Sequence, residues 1–436
     1  MIKNVKKRLI SMFVMTSILL LTLVTSYFIM MFMGEMSANV IVFSEKKVME
    51  ADAAMELPGS VDQSEPIEEI SQASPGDNET SVDPNAGSPI NNHLPEQSED
   101  GLVEFEEISE EREGTSDKQD EGRDNIVNMV FLGDTMMTGN VAKVMDQQGM
   151  DYPLQEFKHI LEEADLIVIN LETAVGTSGM LEEKAFAFQT DPVYLTLFKP
   201  YRNKVVFTLA NNHGMDAPLD ETMEALDDWG FSYVGIGKNQ DKAFQPYVDE
   251  INGISFAIFG ASQVIPRVDW RSTQNRPGMA TAYHPEPLIS YLTPWLSQVD
   301  YVITCLHWGE ELADLPTKNQ IMLEEALREA GVHLIIGSHP HVLQQIEWTG
   351  NKQLTAHSLG NFVFTTSHSP LANDTAALEV SLTREKIQRV RLHPAEIQWG
   401  LVRYLTEPDD QDRIFQRIRS LSHSVEIDEE GFLIRK

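Results

Sequence analysis

Residues 332–341 read Val332-His333-Leu334-Ile335-Ile336-Gly337-Ser338-His339-Pro340-His341. Val332–Gly337 is a short apolar run rich in β-branched residues, which suits a buried strand better than a helix. The run ends abruptly in a serine and two imidazoles flanking a proline. In open α/β sheets, ligand sites gather beyond the carboxyl ends of the strands. A strand that ends in His-Pro-His therefore sets two expectations at once, an α/β fold and a site at one rim of its sheet.

The same arrangement recurs on either side. Further candidate strands are Ile126–Leu132, Leu166–Asn170, Val205–Ala210, Ile254–Gly260, Tyr301–Leu306, Leu354–Ser358 and Ala376–Leu382. Amphipathic stretches at Val141–Gln148, Leu154–Ala164, Pro218–Trp229, Pro287–Ser297 and Lys318–Ala330 predict the intervening helices, with Gly230 and Gly331 as stop signals. The polar residues that follow the strands are Gly133-Asp134, Asn170-Leu171-Glu172, Asn211-Asn212-His213, His307-Trp308-Gly309-Glu310 and Ser358-Leu359-Gly360-Asn361. Neutral imidazoles and carboxylates are ligands for zinc, manganese or iron(II). Two such ions a few ångströms apart can clamp a phosphoryl-type oxygen and acidify water.

Taken singly, several of these residues have plainer readings. Asp134 could cap a helix beginning near Gly139, Asn212 could hold a left-handed turn, and His307 could be a packed core histidine. His333, His357, His368 and His393 are read as structural, with Ser358 beside His357 leaving that one open. His93 falls in a polar segment away from the strands. The His339-Pro340-His341 triplet is the one best read as a ligand pair.

Outside these strands the chain changes character. The 436 residues carry a formal charge of −34, unevenly placed: +3 over residues 1–50, −19 over 51–125 and −18 over 126–436. Lys3, Lys6, Lys7 and Arg8 precede an uncharged run from Leu9 to Gly34, long enough for a helix to span a membrane and oriented with its cations in the cytoplasm. A cleavable signal peptide is the rival, with Met36-Ser37-Ala38 as a cleavage point, but its apolar region is normally shorter. Residues 36–125 are dense in Glu, Asp, Ser, Pro and Gly and too poor in apolar groups to offset the entropy of ordering, so an extended linker is expected there. The folded domain is then expected over 126–385, with 386–436 as a C-terminal extension packed on it. The negative charge excludes a general nucleic-acid binder. The single cysteine, Cys305, excludes a disulfide framework and any Cys-cluster metal site.

In their order along the chain, Gly133-Asp134, Asn170-Leu171-Glu172, Ala210-Asn211-Asn212-His213, His307-Trp308-Gly309-Glu310, Gly337-Ser338-His339-Pro340-His341-Val342 and Ser358-Leu359-Gly360-Asn361-Phe362 resemble the CapA (PgsA) family of poly-γ-glutamate capsule synthesis proteins. The resemblance spans about Val127 to Phe364. That family is related to calcineurin-like metallophosphoesterases, which implies a four-layer αββα sandwich. It further implies Asp134 and His341 at one metal, Asn212, His307 and His339 at another, and His213 as general acid. Asn170 stands where a bridging aspartate is usual, with Glu172 as a substitute, and Met136 stands where a histidine is usual. These departures favour one ion, held by Asn212, His307 and His339 with Asp134, Glu172 and His341 nearby. Asn170, Asn211, Glu310, Ser358 and Asn361 are expected around it or against substrate.

The resemblance implies an accessory role in the biosynthesis, transport or localisation of a poly-γ-glutamate capsule, beside membrane-bound synthetase subunits and an anionic polymer. ATP-dependent ligation is not expected of this chain, which has no Gly-x-x-x-x-Gly-Lys-Ser/Thr loop. The alternative is a surface metal-dependent hydrolase acting on a phosphoester or amide of the envelope.

Overall fold

The computed structural model describes residues 125–436. The anchor expected over 1–35 and, apart from Asn125, the linker expected over 36–125 lie outside the described residues. Among the described residues no helix is long and apolar enough to cross a membrane.

Two mixed sheets form the centre. The strands in chain order are β1 (Val127–Thr135), β2 (Leu166–Leu171), β3 (Val205–Thr208) and β4 (Ser232–Val234). Next come β5 (Tyr247–Ile251), β6 (Ile254–Ser262), β7 (Tyr301–His307), β8 (Leu334–Ser338), β9 (Ile346–Trp348) and β10 (Leu354–Ala356). The last are β11 (Asp374–Leu382), β12 (Ile387–Gln398) and β13 (Leu401–Tyr404). The seven-stranded sheet runs β13-β12-β11-β1-β2-β3-β4, and the six-stranded sheet runs β9-β10-β8-β7-β6-β5. Within each, the central strands are parallel: β1 to β4 in the first, and β6, β7, β8 and β10 in the second. Parallel strands place their carboxyl ends, and whatever side chains follow them, along a shared rim.

The helices of more than one turn are α1 (Gly139–Gln148), α2 (Lys158–Glu163), α3 (Leu219–Trp229), α4 (Pro285–Leu292), α5 (Lys318–Ala330) and α6 (Pro408–Leu421). Two are shorter than their apolar pattern suggests. The segment expected as one helix over Leu154–Ala164 begins as a 3-10 turn at Tyr152–Leu154. α4 gives way at Thr293–Ser297 to a 3-10 turn containing Pro294, which cannot donate the hydrogen bond that would continue an α-helix. α5 has the extent expected and opens on a reciprocal cap between Thr317 and Gln320.

Three apolar layers result. Phe131, Val168 and Leu378 of the first sheet meet Phe256, Ile303 and Leu334 of the second in one continuous core between the sheets. The outer face of the first sheet (Ile167, Ile169, Phe207) is covered by Val141 and Met145 of α1, Leu161 of α2 and Leu226 of α3. That of the second (Phe259, Leu306, Ile335) is covered by Leu288 and Leu292 of α4 and Leu323 and Leu327 of α5. Each such fully buried side chain contributes about 1.5–3 kcal/mol. Strands buried on both faces read as unbroken apolar runs, which is why all eight were legible in the sequence.

The other five strands were not. β4 and β9 are only three residues long, β5 is a half-exposed edge carrying Asp249 and Glu250, and β12 carries Arg389, Arg391 and Pro394. The division expected at 385/386 falls in the turn between β11 and β12. These two strands pair antiparallel from Asp374 opposite Glu396 to Leu382 opposite Ile387. Residues after 386 therefore complete the sheet through β12 and β13, and α6 adds Ile414, Phe415 and Ile418 to the core between the sheets.

Candidate metal centre

At the end of β1 the pairing with β2 slips between Leu132 and Asp134, a bulge of the kind that re-aims a side chain. Gly133 sits in that slip. A Cβ there would lie 2.0 Å from the carbonyl oxygen of Gly360, so only glycine lets the two loops close. The Asp134 amide donates to the Gly360 carbonyl (3.0 Å) and its own carbonyl accepts from Phe362 (2.7 Å). The carboxylate is fully buried and serves the site: it does not cap α1, whose first position follows Thr138.

From β2, Asn170 and Glu172 part in function. Asn170 Nδ2 donates to Asp134 Oδ1 at 2.8 Å, while its Oδ1 accepts from Thr208 (3.3 Å) and Asn211 (3.2 Å). The amide oxygen is thus turned toward β3 and occupied. Glu172 is 1 % exposed and neither carboxylate oxygen has a hydrogen-bond partner. Burial and the nearby Asp134 charge raise it well above the usual carboxylate range.

The second sheet contributes the imidazoles. His307 Nε2 lies 3.6 Å from Glu172 Oε1 and 2.7 Å from Asn212 Oδ1, and its Nδ1 is 3.1 Å from Ser338 Oγ. His339 and His341 both have positive φ, 96° and 57°. Non-glycine residues held in that region store strain that surrounding structure must maintain, as happens at functional sites. His339 Nδ1 is buried without a hydrogen-bond partner. The His341 ring is fixed by Nδ1 contacts to Asn361 Oδ1 (2.7 Å) and Asp134 Oδ2 (3.1 Å), with Nε2 3.8 Å from Glu172 Oε1.

The protonation states follow from these surroundings. Burial drives His307 and His339 well below the usual imidazole range, so both are neutral. Burial would also depress His341, but Glu172 and Asp134 outweigh it and raise that ring to about 10. Two buried carboxylates demand positive charge nearby.

The donors fit a divalent cation. Asp134, Glu172 and His307 form one set, and Glu172, His339 and His341 another, each with ligand atoms within 4.8 Å of one another. Glu172 belongs to both. Oxygen and imidazole donors of this kind suit manganese, zinc or iron(II), with His341 giving up its proton to an ion. Asn212, expected in the inner set with His307 and His339, has its Oδ1 2.7 Å from His307 Nε2, beside the carboxylate that both sets share. Met136 is packed in the core.

Of the surrounding residues, Asn361 holds His341. Asn211 ties Asn170 and the Leu171 carbonyl (2.8 Å) to the backbone amide of His213 (3.0 Å). Ser358 accepts from the Gly360 amide and shapes that turn. Glu310 is exposed. Its neighbour Glu311 is the one whose charge reaches Glu172 and His341. His333, His357 and His393 are held elsewhere, by the Val302 amide, Glu324 and Glu379 respectively.

His213 lies at the edge of the cluster, next to Asn212. Nδ1 is 2.6 Å from Asp216 Oδ2. Burial pushes the ring down to about 4 despite Asp216. Near neutral pH it is uncharged and takes up a proton before it can give one. Two partners of His213 were missed in the sequence, Asp216 and Lys184, whose Nζ is 2.6 Å from Asp216 Oδ1. The His213-x-x-Asp216 spacing carried a usable signal; Lys184, in an irregular segment, carried none.

Fold and site together define an α/β protein whose two sheets bring a divalent-metal type of ligand cluster to one rim. Residues 128–366 match the family described as bacterial capsule synthesis protein PGA_cap, and the chain belongs to that family. It is 29 % identical over 280 residues to the PGA biosynthesis protein CapA of Bacillus subtilis (strain 168), covering 63 % of this chain and 72 % of that one. It is 27 % identical over 304 residues to the capsule biosynthesis protein CapA of Bacillus anthracis, covering 66 % and 72 %. Among solved structures, a hypothetical protein from Thermus thermophilus aligns with 62 % of this chain and all of its own (14 % identity, TM-score 0.39). The Thermus thermophilus sulfate thiohydrolase SoxB in complex with glycerol aligns with 67 % of this chain and 60 % of its own (12 % identity, TM-score 0.38).

Proposed function

We propose that this protein works in the biosynthesis, transport or localisation of a poly-γ-glutamate capsule, and that its metal centre is required for that work. Family membership and the two Bacillus relatives support the capsule role. The observation that carries the metal requirement is Glu172, a buried carboxylate with both oxygens unpartnered, facing His307 and His341. Asp134, Glu172, His307, His339 and His341 would hold one or two ions of manganese, zinc or iron(II), with Asn212 alongside. When bound, such an ion supplies concentrated positive charge that draws anionic oxygens and acidifies water.

The same proposal places the chain at the cell membrane as a single-pass protein, N-terminus cytoplasmic and domain outside. Leu9–Gly34 is the anchor and the acidic segment 36–125 the spacer. Membrane-bound synthetase subunits and the anionic polymer are its partners, and nucleic acid is not. A chain with a net charge of −34 would keep a polyanion from adhering, while bound cations gave it local contact.

A hydrolase of an envelope phosphoester or amide is the second reading, favoured by the contact between His213 and Asp216 beside the ligands. Asp216 would orient the ring, and Nε2 would take a proton and return it to a leaving group.

Complementation of a deletion strain tests both. Glu172→Gln should fail to restore capsule. Restoration by His213→Ala would favour the accessory role. Failure by His213→Ala, together with lost turnover of a phosphodiester or of poly-γ-glutamate, would favour the hydrolase. Full capsule in the uncomplemented deletion strain would overturn the capsule role.

A further inference from the structure

The rim cluster reaches solvent through two of its imidazoles. The His307 side chain is 1 % exposed, whereas those of His341 and His213 are 16 % and 11 % exposed. Each of these two openings has a phenyl ring beside it. Phe188 packs on the His213 ring with centroids 4.7 Å apart, and Phe364 on the His341 ring at 5.4 Å. Both phenyls are only partly buried. The backbone fixes both: the Phe188 amide donates to Asp216 (2.8 Å), and the carbonyl of Val363, just before Phe364, accepts from the Met136 amide (2.8 Å). Between the two phenyls the contacts are continuous. Asn212, next to His213, meets His307, and the His307, His339 and His341 rings follow at 4.7 Å and 5.9 Å. The series of polar donors therefore has an apolar ring at each end. Glu311, partly buried, stands in the loop whose Leu312 amide holds the Pro340 carbonyl (2.8 Å), and its negative charge reaches His341.

We propose that Phe188 and Phe364 are specificity-determining residues: they select an extended polyanion whose carboxylates are separated by methylene groups over one whose charges are contiguous. Ligand sites pair a few placed polar groups with apolar walls. Here the polar part is the cation position, which draws an anionic oxygen, and the walls are the two rings. A phenyl ring offers apolar area and a face of partial negative charge. Methylene groups gain by lying against such a face. An anionic group gains nothing there and loses its water. Glu311 adds repulsion on the His341 side. A phosphate chain, charged at every unit, would have to set charge against a ring or Glu311 whenever one of its oxygens reached the ion. A carboxylate polymer with methylene spacers sets CH2 groups there instead. This inference rests on the capsule reading and deepens it, because each residue of poly-γ-glutamate carries one carboxylate and a pair of methylenes.

The test uses the full-length chain loaded with zinc(II) and a pair of probes of matched charge, a γ-linked glutamate oligomer and inorganic polyphosphate. Wild type should bind the oligomer more tightly. Covering one methylene changes affinity about 4-fold, so Phe188→Ala and Phe364→Ala should each weaken the oligomer at least ~4-fold, with zinc and polyphosphate affinities held within ~2-fold. Phe188→Leu and Phe364→Leu keep an apolar wall and should retain the preference. A second readout needs no variant. In wild type deuterated except at phenylalanine, saturation of the ring protons should transfer to the methylene protons of the oligomer. A preference for polyphosphate, absent transfer, or unchanged oligomer affinity in the folded alanine variants would overturn the assignment. An equal loss of zinc affinity would overturn it too, because the rings would then only brace the imidazoles. If zinc-loaded wild type bound neither probe, the capsule reading would fail along with this inference. Oligomer binding that ignores both rings would remove this inference alone.

Discussion

Glu172→Gln keeps the shape of a buried side chain and removes the charge shared by both ligand sets. Binding to the folded state alone stabilises by RT ln(1 + [L]/Kd), about 2.7 kcal/mol at a hundred times Kd. The unfolding entropy of about 300 residues is near 0.6 kcal/mol/K, so wild type should gain about 4 °C in Tm when manganese(II) replaces chelator at that concentration. Loss of even an outer-shell partner weakens a metal site about 10–100-fold, and loss of a central carboxylate should do no less. At the same metal concentration about 0.4–1.4 kcal/mol would then remain, a gain of about 2 °C or less. Differential scanning fluorimetry of wild type, Glu172→Gln and the control His284→Ala, each with and without metal, reads this directly. The exposed His284 should leave the full gain. A wild-type gain in Glu172→Gln would show that Glu172 is not a ligand, however suggestive its unpartnered oxygens.

Other outcomes follow from the same contacts. Asn170→Asp would set a carboxylate oxygen against Asp134 Oδ1, 2.8 Å from the present amide nitrogen; Tm in chelator should fall, while the metal-induced gain should rise as the new charge finds an ion. Asn361→Ala removes the oxygen that fixes His341 and should weaken metal binding about 10–100-fold, measured by titration calorimetry, with the circular dichroism spectrum unchanged. Gly133→Ala would drive a methyl into the Gly360 carbonyl and should cost about 3 kcal/mol or abolish folding, read by urea denaturation. Away from the site, the hydrogen bond from His393 and the charge of Arg389 hold Glu379 below the usual carboxylate range. A depressed folded-state pKa stabilises above the unfolded value and loses that contribution as the pH falls through the folded one. The stability advantage of wild type over Glu379→Gln should therefore be full near neutral pH and fade below about pH 4 in urea titrations.

Several features were already local properties of the chain. β1, β2, β7 and β8 are buried on both faces, so their apolar character is written in consecutive residues and needs no knowledge of the partner strand. The residues that follow them could be anticipated as a site for the same reason: where a buried strand ends, a polar side chain has reached the rim. Asp134, Glu172, His307, His339 and His341 all follow or end such strands, and the fold brings them together.

What only the tertiary structure decided was which atoms face inward. Asn170 and Glu172 are two residues apart on one strand end, and nothing local ranks one above the other. Thr208 and Asn211, arriving on β3 and the turn after it, occupy the Asn170 oxygen and leave Glu172 as the unsatisfied acceptor. Asp216 had a local signal in its spacing from His213, but Lys184 became visible only through the irregular loop that closes over the His213 turn. Burial of an apolar strand is favoured by its own composition, whereas the role of a polar side chain depends on which distant donors have already claimed it, and that assignment is made only when the chain folds.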